Sequence, residues 1–312
     1  MIIIDKRISA NCSVQLEVHN RISCDVLQYW LSPFFCIQNE KVHTSHIIAK
    51  IEVKTDIEQK YLYYNNIFYV NADMQLNTLL YTLMSILRIL FKYTAFLSGY
   101  QNLHAACLKY KNNGILVRAN RNEGKTTLLL NAVQDEDFLL VANDQVMYSI
   151  NDNKVLGYPA AVGIRDNSCD IEKQKRINER ALWFIDDPFQ INQKPVVHIK
   201  DLSQIYQCHI AESANLSILI NYEKSMQKEE LIIDNIEQTK INLKSLILPF
   251  EQTYKDYLLK SCMDAVEHYM DKDILLQSKD NNDNNTSILQ VNIKCGLARI
   301  NDMLDEIKCI LS

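Results

Sequence analysis

The stretch "VRANRNEGKTTL", residues 117 to 128, is close to the pattern of a phosphate-binding loop. Such loops follow G-x-x-x-x-G-K-[ST], in which backbone N–H groups and a helix N-terminus face the anion. Gly124, Lys125 and Thr126 complete the second half of the pattern, but Ala119 stands where the first glycine is expected. Alanine at a strand end forgoes only the positive φ or close approach that glycine permits, so a nucleotide site remains compatible with this sequence.

The residues around the loop favour a nucleotide site over a chance tetrapeptide. An apolar strand, "GILVRA", precedes the loop, and "GKTTLLLNAV" has the apolar content of a buried helix. Asp144 follows Lys125 by nineteen residues and ends a second apolar strand, where an acid that organises Mg²⁺ is expected. The order strand, loop, helix, strand predicts an α/β fold in which the N–H groups of residues 120 to 126 hold phosphates.

Composition excludes several classes of function. The 312 residues carry a net charge of −5, so no basic excess is present to neutralise a nucleic-acid backbone. Nine cysteines without a C-x-x-C pair predict reduced, mostly buried thiols in a cytoplasmic protein. In "MIIIDKRISANCSV" charged residues follow three apolar ones directly, which leaves no room for the apolar core of a signal peptide.

The most apolar stretch of the chain, residues 76 to 100, raises the question of a membrane. Arg88 and Lys92 lie inside it, and two cations near its centre would be costly in lipid. The sequence therefore predicts a buried helix over about 76 to 97 and no membrane partner.

The chain divides by pattern into three regions. Residues 1 to 97 are strand-rich, with a hairpin turn at Asn65-Asn66, and end in the long apolar helix. Residues 98 to 225 form the nucleotide-binding core, with a second tight hairpin at Asn112-Asn113-Gly114. Residues 226 to 312 are predicted to be mostly helical, with a polar loop at 279 to 287.

Residues 101 to 225 resemble the catalytic domain of the HPr kinase/phosphorylase superfamily. The resemblance lies in "LHAACLKY", a hairpin, "GILVRANRNEGKTTLLLNAV", "FLLVANDQVMYSI" and "VLGYPAAVGIR", taken in this order. That family has a strand with a histidine, a short hairpin, the phosphate loop, and an Asp-Asp pair after only one helix. The resemblance implies a mixed-sheet P-loop core and an ATP- and Mg²⁺-dependent kinase.

The same resemblance implies roles for individual residues. His104 would lie near the transferred phosphate, Thr126 and Asp144 would bind Mg²⁺, and Arg165 would stand at the edge of the site. The expected catalytic set is His104, Asn143, Asp144 and Arg165. The expected nucleotide-binding set is Asn120, Arg121, Asn122, Glu123, Gly124, Lys125, Thr126 and Thr127.

Asn143 departs from the family, because it occupies the position of the first acid of the Asp-Asp pair. The acid at that position is thought to act as the general base toward the acceptor hydroxyl, and an amide cannot accept that proton. Phosphoryl transfer depends mostly on positioning and charge neutralisation, so His104 or Asp144 is left as the candidate base.

The class of phosphate acceptor is predicted only from the resemblance. The family signature that recognises the phosphocarrier HPr is missing, which predicts another substrate. Relatives that phosphorylate a serine of a ribosomally made peptide have a similar N-terminal sheet and helix, so the expected substrate is a Ser/Thr hydroxyl of a peptide or small protein. The alternatives are a nucleotide-binding protein of weak or no activity with a role in partner recognition, and a small-molecule kinase. A homo-oligomer remains open.

Further charged residues each allow two interpretations, a functional one and a structural one. Arg118 and Arg121 flank the loop and either contact phosphates or are solvated, and Arg176 and Arg180 lie on a charged stretch that could close over substrate. A structural role is expected for isolated histidines and for an ordinary Asp-Asp-Pro turn. These residues are His43, His46, Asp186, Asp187, His198 and His209.

Overall fold

The structure is a computed structural model, and its secondary structure confirms the predicted mixed α/β class. It describes residues 2–7, 11–18, 22–38, 46–120, 123–165, 170–185, 194–240, 246–248, 257–269 and 287–312.

The described strands and helices are numbered in chain order. The strands are Ile2–Arg7 (β1), Asn11–Glu17 (β2), Cys36–Gln38 (β3), His46–Lys54 (β4), Tyr61–Tyr64 (β5), Ile67–Asn71 (β6), Gln101–Leu103 (β7), Ala106–Tyr110 (β8), Asn113–Arg118 (β9), Phe138–Ala142 (β10), Val146–Ser149 (β11), Lys154–Leu156 (β12), Ala161–Gly163 (β13), Trp183–Ile185 (β14), Lys194–His198 (β15), Ser213–Lys224 (β16), Leu231–Lys240 (β17) and Ser287–Cys295 (β18). The α-helices are Cys24–Leu31 (α1), Leu76–Leu97 (α2), Lys125–Ala132 (α3), Ile171–Glu179 (α4), Ile199–Tyr206 (α5), Tyr257–Tyr269 (α6) and Ile300–Leu311 (α7), and a 3₁₀ turn covers Leu297–Arg299.

The chain forms two compact units. The first comprises Met1–Asn102 and Leu248–Asn282, and the second comprises Leu103–Ile247 and Asp283–Ser312. This division differs from the three predicted regions, because α6 packs on α2 and β4 of the first unit while β17 and β18 join the sheet of the second.

The first unit is a six-stranded mixed sheet in the order β3-β1-β2-β4-β6-β5. The predicted hairpin is confirmed: Asn65 and Asn66 adopt φ of 49° and 62°, the left-handed pair that a two-residue turn of type I′ needs. Helix α2 covers the predicted residues. It is long and apolar enough to cross a membrane, but 78% of its most apolar window is buried, which is typical of the core helix of a soluble protein.

The second unit contains a nine-stranded sheet and a separate three-stranded sheet, β13-β15-β14. In the large sheet β10, β8, β9 and β16 are neighbours in that order. The far edge of β16 pairs first with β12 and then, further along, with β18, which in turn pairs with β17. Because β16 runs parallel to both β9 and β18, the C-terminal ends of these three strands reach the same edge of the sheet.

The second hairpin turns at Lys111 and Asn112, so its turn begins one residue before the predicted Asn112-Asn113-Gly114. Lys111 and Asn112 form its turn, with Lys111 at a φ of 54°, and Gly114 lies inside β9. A Cβ at Gly114 would lie 2.7 Å from the carbonyl oxygen of Asn215, so this glycine permits the close approach of β9 and β16.

The region from 226 to 312, predicted to be mostly helical, contains helices α6 and α7 among its described residues, but it also contains two strands. Leu231–Lys240 and Ser287–Cys295 are strands, and they pair with each other as an antiparallel ladder. Val291, Ile293 and Cys295 are buried and alternate with polar residues, which is the period of a strand with one face against a core. Residues 279 to 286 of the predicted polar loop lie outside the described part of the chain.

The amphipathic helix predicted at the end of the chain is confirmed as α7. It packs against α3, and the ammonium group of Lys308 binds the carboxylates of Asp135 and Asp137 at 2.5 and 2.8 Å. These two acids lie in the turn between α3 and β10, so α7 holds the two elements that follow the phosphate loop.

Candidate functional site

Strand directions bring three separate sequence segments to one edge of the large sheet. Strand β8 is antiparallel to both β9 and β10, so its start lies beside their ends. Ala106 pairs with Val117, and Cys107 pairs with Ala142. Three features therefore lie within two residues of this edge: the histidine before β8, the start of the loop after β9 and the acid after β10.

The phosphate loop ends in the geometry that its glycine allows. Gly124 is the N-cap residue of α3 and has a φ of 86°, a left-handed conformation that favours glycine. Ala119 is not among the described residues with positive φ, and it is buried. Alanine at position 119 therefore causes no backbone strain, whereas the left-handed conformation at position 124 requires glycine.

Lys125, His104 and Asp144 meet in front of the N-terminus of α3. The Lys125 ammonium nitrogen lies 2.9 Å from Asp144 Oδ1 and 3.1 Å from His104 Nε2. His104 Nε2 lies 3.7 Å from the same carboxylate oxygen. The Lys125 side chain is 10% exposed and that of Asp144 is 55% exposed, so the carboxylate forms the open side of the cluster.

His104 is held in place by its backbone. Its N–H group donates a hydrogen bond of 2.8 Å to the carbonyl oxygen of Leu246. Partial burial lowers the pKa of His104 below 6.5, the nearby Asp144 carboxylate raises it, and the Lys125 cation lowers it further. The imidazole is therefore mainly neutral at pH 7, the state in which a nitrogen can accept a proton.

The pKa of His104 gives a test that needs no substrate. In the free protein we expect Asp144→Asn to lower this pKa further, because it removes the carboxylate that stabilises imidazolium, and Lys125→Met to raise it. Two-dimensional NMR of the imidazole C–H groups against pH measures both shifts, and a spectrum of His104→Gln assigns the signal among the seven histidines. A rise in Asp144→Asn would contradict the observed cluster.

A carboxylate of the loop itself accepts hydrogen bonds from the first part of the loop. The backbone N–H and the side-chain amide of Asn120 donate to the two oxygens of Glu123, at 3.0 and 2.9 Å. A phosphate that used the Asn120 N–H would displace this carboxylate. Arg121 and Asn122, which the sequence assigned to the same loop, lie outside the described residues, and the nucleotide-binding roles remain predictions.

Asn143 follows β10, and its side-chain oxygen Oδ1 is buried without a hydrogen-bond partner among the described residues. A buried acceptor left without a donor costs about 1–3 kcal/mol. The amide adds no proton acceptor to the cluster of Lys125, His104 and Asp144.

The metal prediction rests on Thr126 and Asp144. No group of three or more His, Cys, Asp or Glu side chains forms a metal cage within the described part of the chain. Mg²⁺ bound with a nucleotide uses only one or two protein oxygens, with phosphates and waters as the other ligands. The half-exposed carboxylate of Asp144 and a hydroxyl in the first turn of α3 fit that mode of binding.

The predicted arginines have different surroundings. Arg176 donates to the carbonyl oxygens of Ile205 and Gln204, and Arg180 donates to the side chain of Gln204 at 2.5 Å. Both therefore anchor α4 to α5 in this structure, which favours a structural role. Arg165 follows β13 of the three-stranded sheet, and its catalytic role remains a prediction.

The residues expected to be structural fall into two groups. His198 is fully buried at the N-cap of α5, where its Nδ1 accepts from the N–H of Lys200, and burial lowers its pKa to about 3. His46 and His209 are exposed. His43, Asp186 and Asp187 lie outside the described residues.

Comparisons with known proteins give a distant likeness. No protein-family model and no curated protein matches the chain. The structure of the Hpr(Ser) kinase/phosphatase from Coxiella burnetii aligns with 67% of this chain and 97% of its own, at 13% identity and a TM-score of 0.30. A similarity of this size transfers no residue roles, so the roles proposed below rest on the geometry of this chain.

Proposed function

We propose that the protein is a nucleotide-dependent phosphotransferase that moves the terminal phosphate of ATP to a hydroxyl group. The strongest support is that the side chains of Lys125, His104 and Asp144 lie close together at the N-terminus of α3. Gly124, in a left-handed conformation, is the N-cap residue of this helix. A cation, a neutral base and a carboxylate at an anion-binding helix end are the groups that phosphoryl transfer needs.

Lys125 and the start of α3 would bind and orient the phosphates. The N–H groups of the first helical turn have no intrahelical partners and face the anion, and the macrodipole of α3 adds positive potential there. The Lys125 ammonium group, now bonded to His104 and Asp144, would turn toward the phosphate oxygens when the nucleotide enters. Most of the rate enhancement in such a site comes from positioning and charge neutralisation.

His104 would accept the proton of the acceptor hydroxyl. Its Nε2 already lies within hydrogen-bond distance of the Lys125 nitrogen that would bind the phosphate, so an acceptor placed there lies next to both. The lowered pKa keeps the imidazole neutral and available. The Asp144 carboxylate, 3.7 Å from Nε2, would stabilise the charge of the imidazolium that forms.

Magnesium fits this arrangement through Thr126 and Asp144. Bound together with the nucleotide, it would neutralise charge on the β and γ phosphates. Asp144 would then exchange Lys125 for the metal as its partner, which its exposed position allows.

The acceptor class is proposed from the sequence resemblance: a Ser or Thr hydroxyl of a peptide or small protein. A second candidate function is a nucleotide-binding protein without turnover. Asn143 favours it, because an amide stands where the resembled family has an acid. A small-molecule kinase differs only in the acceptor.

Turnover separates these candidates. Purified protein with ATP, Mg²⁺ and a panel of Ser-containing peptides and small alcohols is expected to give products heavier by one phosphate, detected by mass spectrometry together with ADP. The second candidate predicts no product, while nucleotide still raises the melting temperature. No product and no nucleotide-dependent stabilisation would remove both candidates.

A further inference from the structure

A cavity of about 390 Å³ lies beside the phosphate loop, on the β16 side of β9, whereas His104 and Asp144 adjoin β8 and β10 on the other side of β9. It is lined by Arg118, Asn120 and Glu123 at the start of the loop, and by residues of β16, β17 and β18. None of the three cluster residues lines it. The cavity is therefore continuous with the loop but separate from the groups that would carry out transfer.

The floor of the cavity is a row of polar side chains in register across four strands. Arg118 of β9 pairs with Asn221 of β16, Asn221 pairs with Asn292 of β18, and Asn292 pairs with Asp234 of β17. Residues paired in this way present side chains on the same face of a sheet. Four neighbouring strands thus place a guanidinium, two amides and a carboxylate side by side.

Two of these side chains are already fixed by each other. Asn221 Nδ2 donates to Asn292 Oδ1 at 2.7 Å, which leaves the amide donors of Asn292 for other partners. The side-chain oxygen Oδ1 of Asn221 is buried without a hydrogen-bond partner among the described residues. Polar side chains held in fixed positions in a cavity can orient a ligand by hydrogen bonds.

The charge of the cavity does not suit a phosphate group. Arg118 and Lys294 are offset by the carboxylates of Glu123, Glu223 and Asp234, so the lining carries one more negative charge than positive. A neutral ligand with hydrogen-bond donors fits such a lining better than an anion. Ile232, which is 39% exposed at the same cavity, offers an apolar surface for a flat ring.

We propose that this cavity binds the nucleoside part of the nucleotide, with Asp234 accepting hydrogen bonds from its donors. The proposal rests on the proposed function, because it places the nucleoside relative to phosphates held by the loop. The transferred phosphate must face His104 and Asp144 on one side of the loop, so the rest of the nucleotide leaves on the other. The volume lies within the roughly 300–1,000 Å³ of small-molecule sites.

Binding of ATP and of inorganic tripolyphosphate, each with Mg²⁺, tests the cavity by calorimetry. Wild type is expected to bind ATP more tightly than tripolyphosphate, because only ATP fills the cavity. Asp234→Ala and Asn292→Ala are expected to reduce that preference by roughly 10- to 100-fold and to leave tripolyphosphate binding unchanged. Glu237→Ala, on the same strand but outside the cavity lining, is the matched control and should bind both ligands as wild type does.

Two modified nucleotides identify the donors. Inosine triphosphate lacks the amino group of adenine, and 2′-deoxy-ATP lacks a ribose hydroxyl. A weaker affinity than ATP for either one in wild type, but not in Asp234→Ala, supports the cavity and assigns the contact to base or ribose. If neither differs, and the Asp234 and Asn292 variants keep the full preference for ATP, the cavity proposal is overturned while the phosphate loop stands. If wild type binds neither ATP nor tripolyphosphate, the proposed function itself fails.

Discussion

Replacing Lys125 with methionine is expected to lower phosphate transfer by at least ~10³-fold in kcat/KM, equivalent to about 4 kcal/mol of transition-state stabilisation. The reason is electrostatic: the Lys125 nitrogen lies 3.1 Å from His104 Nε2 and 2.9 Å from Asp144 Oδ1, and methionine keeps the shape of the side chain without its charge. Steady-state kinetics with the acceptor found in the turnover assay measures the loss.

Lys111→Met is the matched control for this change. Lys111 lies in the turn between β8 and β9, at the opposite end of these strands from the loop, and it is exposed. It should keep wild-type kinetics. Thermal melting should show that both variants are folded, because methionine replaces the largely buried Lys125 side chain with an apolar chain of similar shape, and the Asp144 carboxylate that loses its partner is 55% exposed to water. Transfer by Lys125→Met within about tenfold of wild type would place the chemistry elsewhere.

The second large effect is expected for His104→Gln, which should lower kcat by roughly 10²- to 10⁴-fold while nucleotide affinity changes little. Glutamine keeps a hydrogen-bonding group near Lys125 but cannot take up a proton at neutral pH. In wild type, kcat/KM should fall as the pH drops through the pKa of His104 in the free protein, which lies below 6.5, because the imidazole then becomes protonated. The variant should lack this acid limb.

His46→Gln is the control, since His46 is exposed at the start of β4 in the first unit. Its pH profile should match that of wild type. An unchanged kcat and an unchanged acid limb in His104→Gln would exclude His104 as the base and leave Asp144 as the remaining candidate. A loss of nucleotide affinity in parallel with kcat would instead indicate that His104 acts in binding.

Much of the site can be predicted from sequence because its parts are formed by residues that are close together along the chain. A phosphate loop needs contiguous residues, so Gly124, Lys125 and Thr126 can be recognised without a fold, and the structure places Gly124 in the left-handed conformation that the pattern implies. The turn at Asn65-Asn66 and the helix over 76–97 are equally local, because turn chemistry and apolar content act within one segment.

The C-terminal strands could not be predicted in the same way. Strand β18 is stabilised by pairing with β16, and Asn292 lies 71 residues from its partner Asn221. The alternation of Val291, Ile293 and Cys295 is a strand signal, but it is short and does not reveal which strand it pairs with. The row of polar groups along the cavity exists only once four strands are in register.

The sequence by itself predicted the phosphate loop and the acid at Asp144 from residue type and spacing, and it predicted the histidine at His104 only through the resemblance to a family. Tertiary structure decided that the three meet. The antiparallel insertion of β8 between β9 and β10 brings the start of one strand beside the ends of two others, and leaves Lys125 between His104 and Asp144. The same sheet, extended through β16 and β18, forms the cavity on the other side of the loop, because strand pairing between distant segments sets which polar side chains become neighbours.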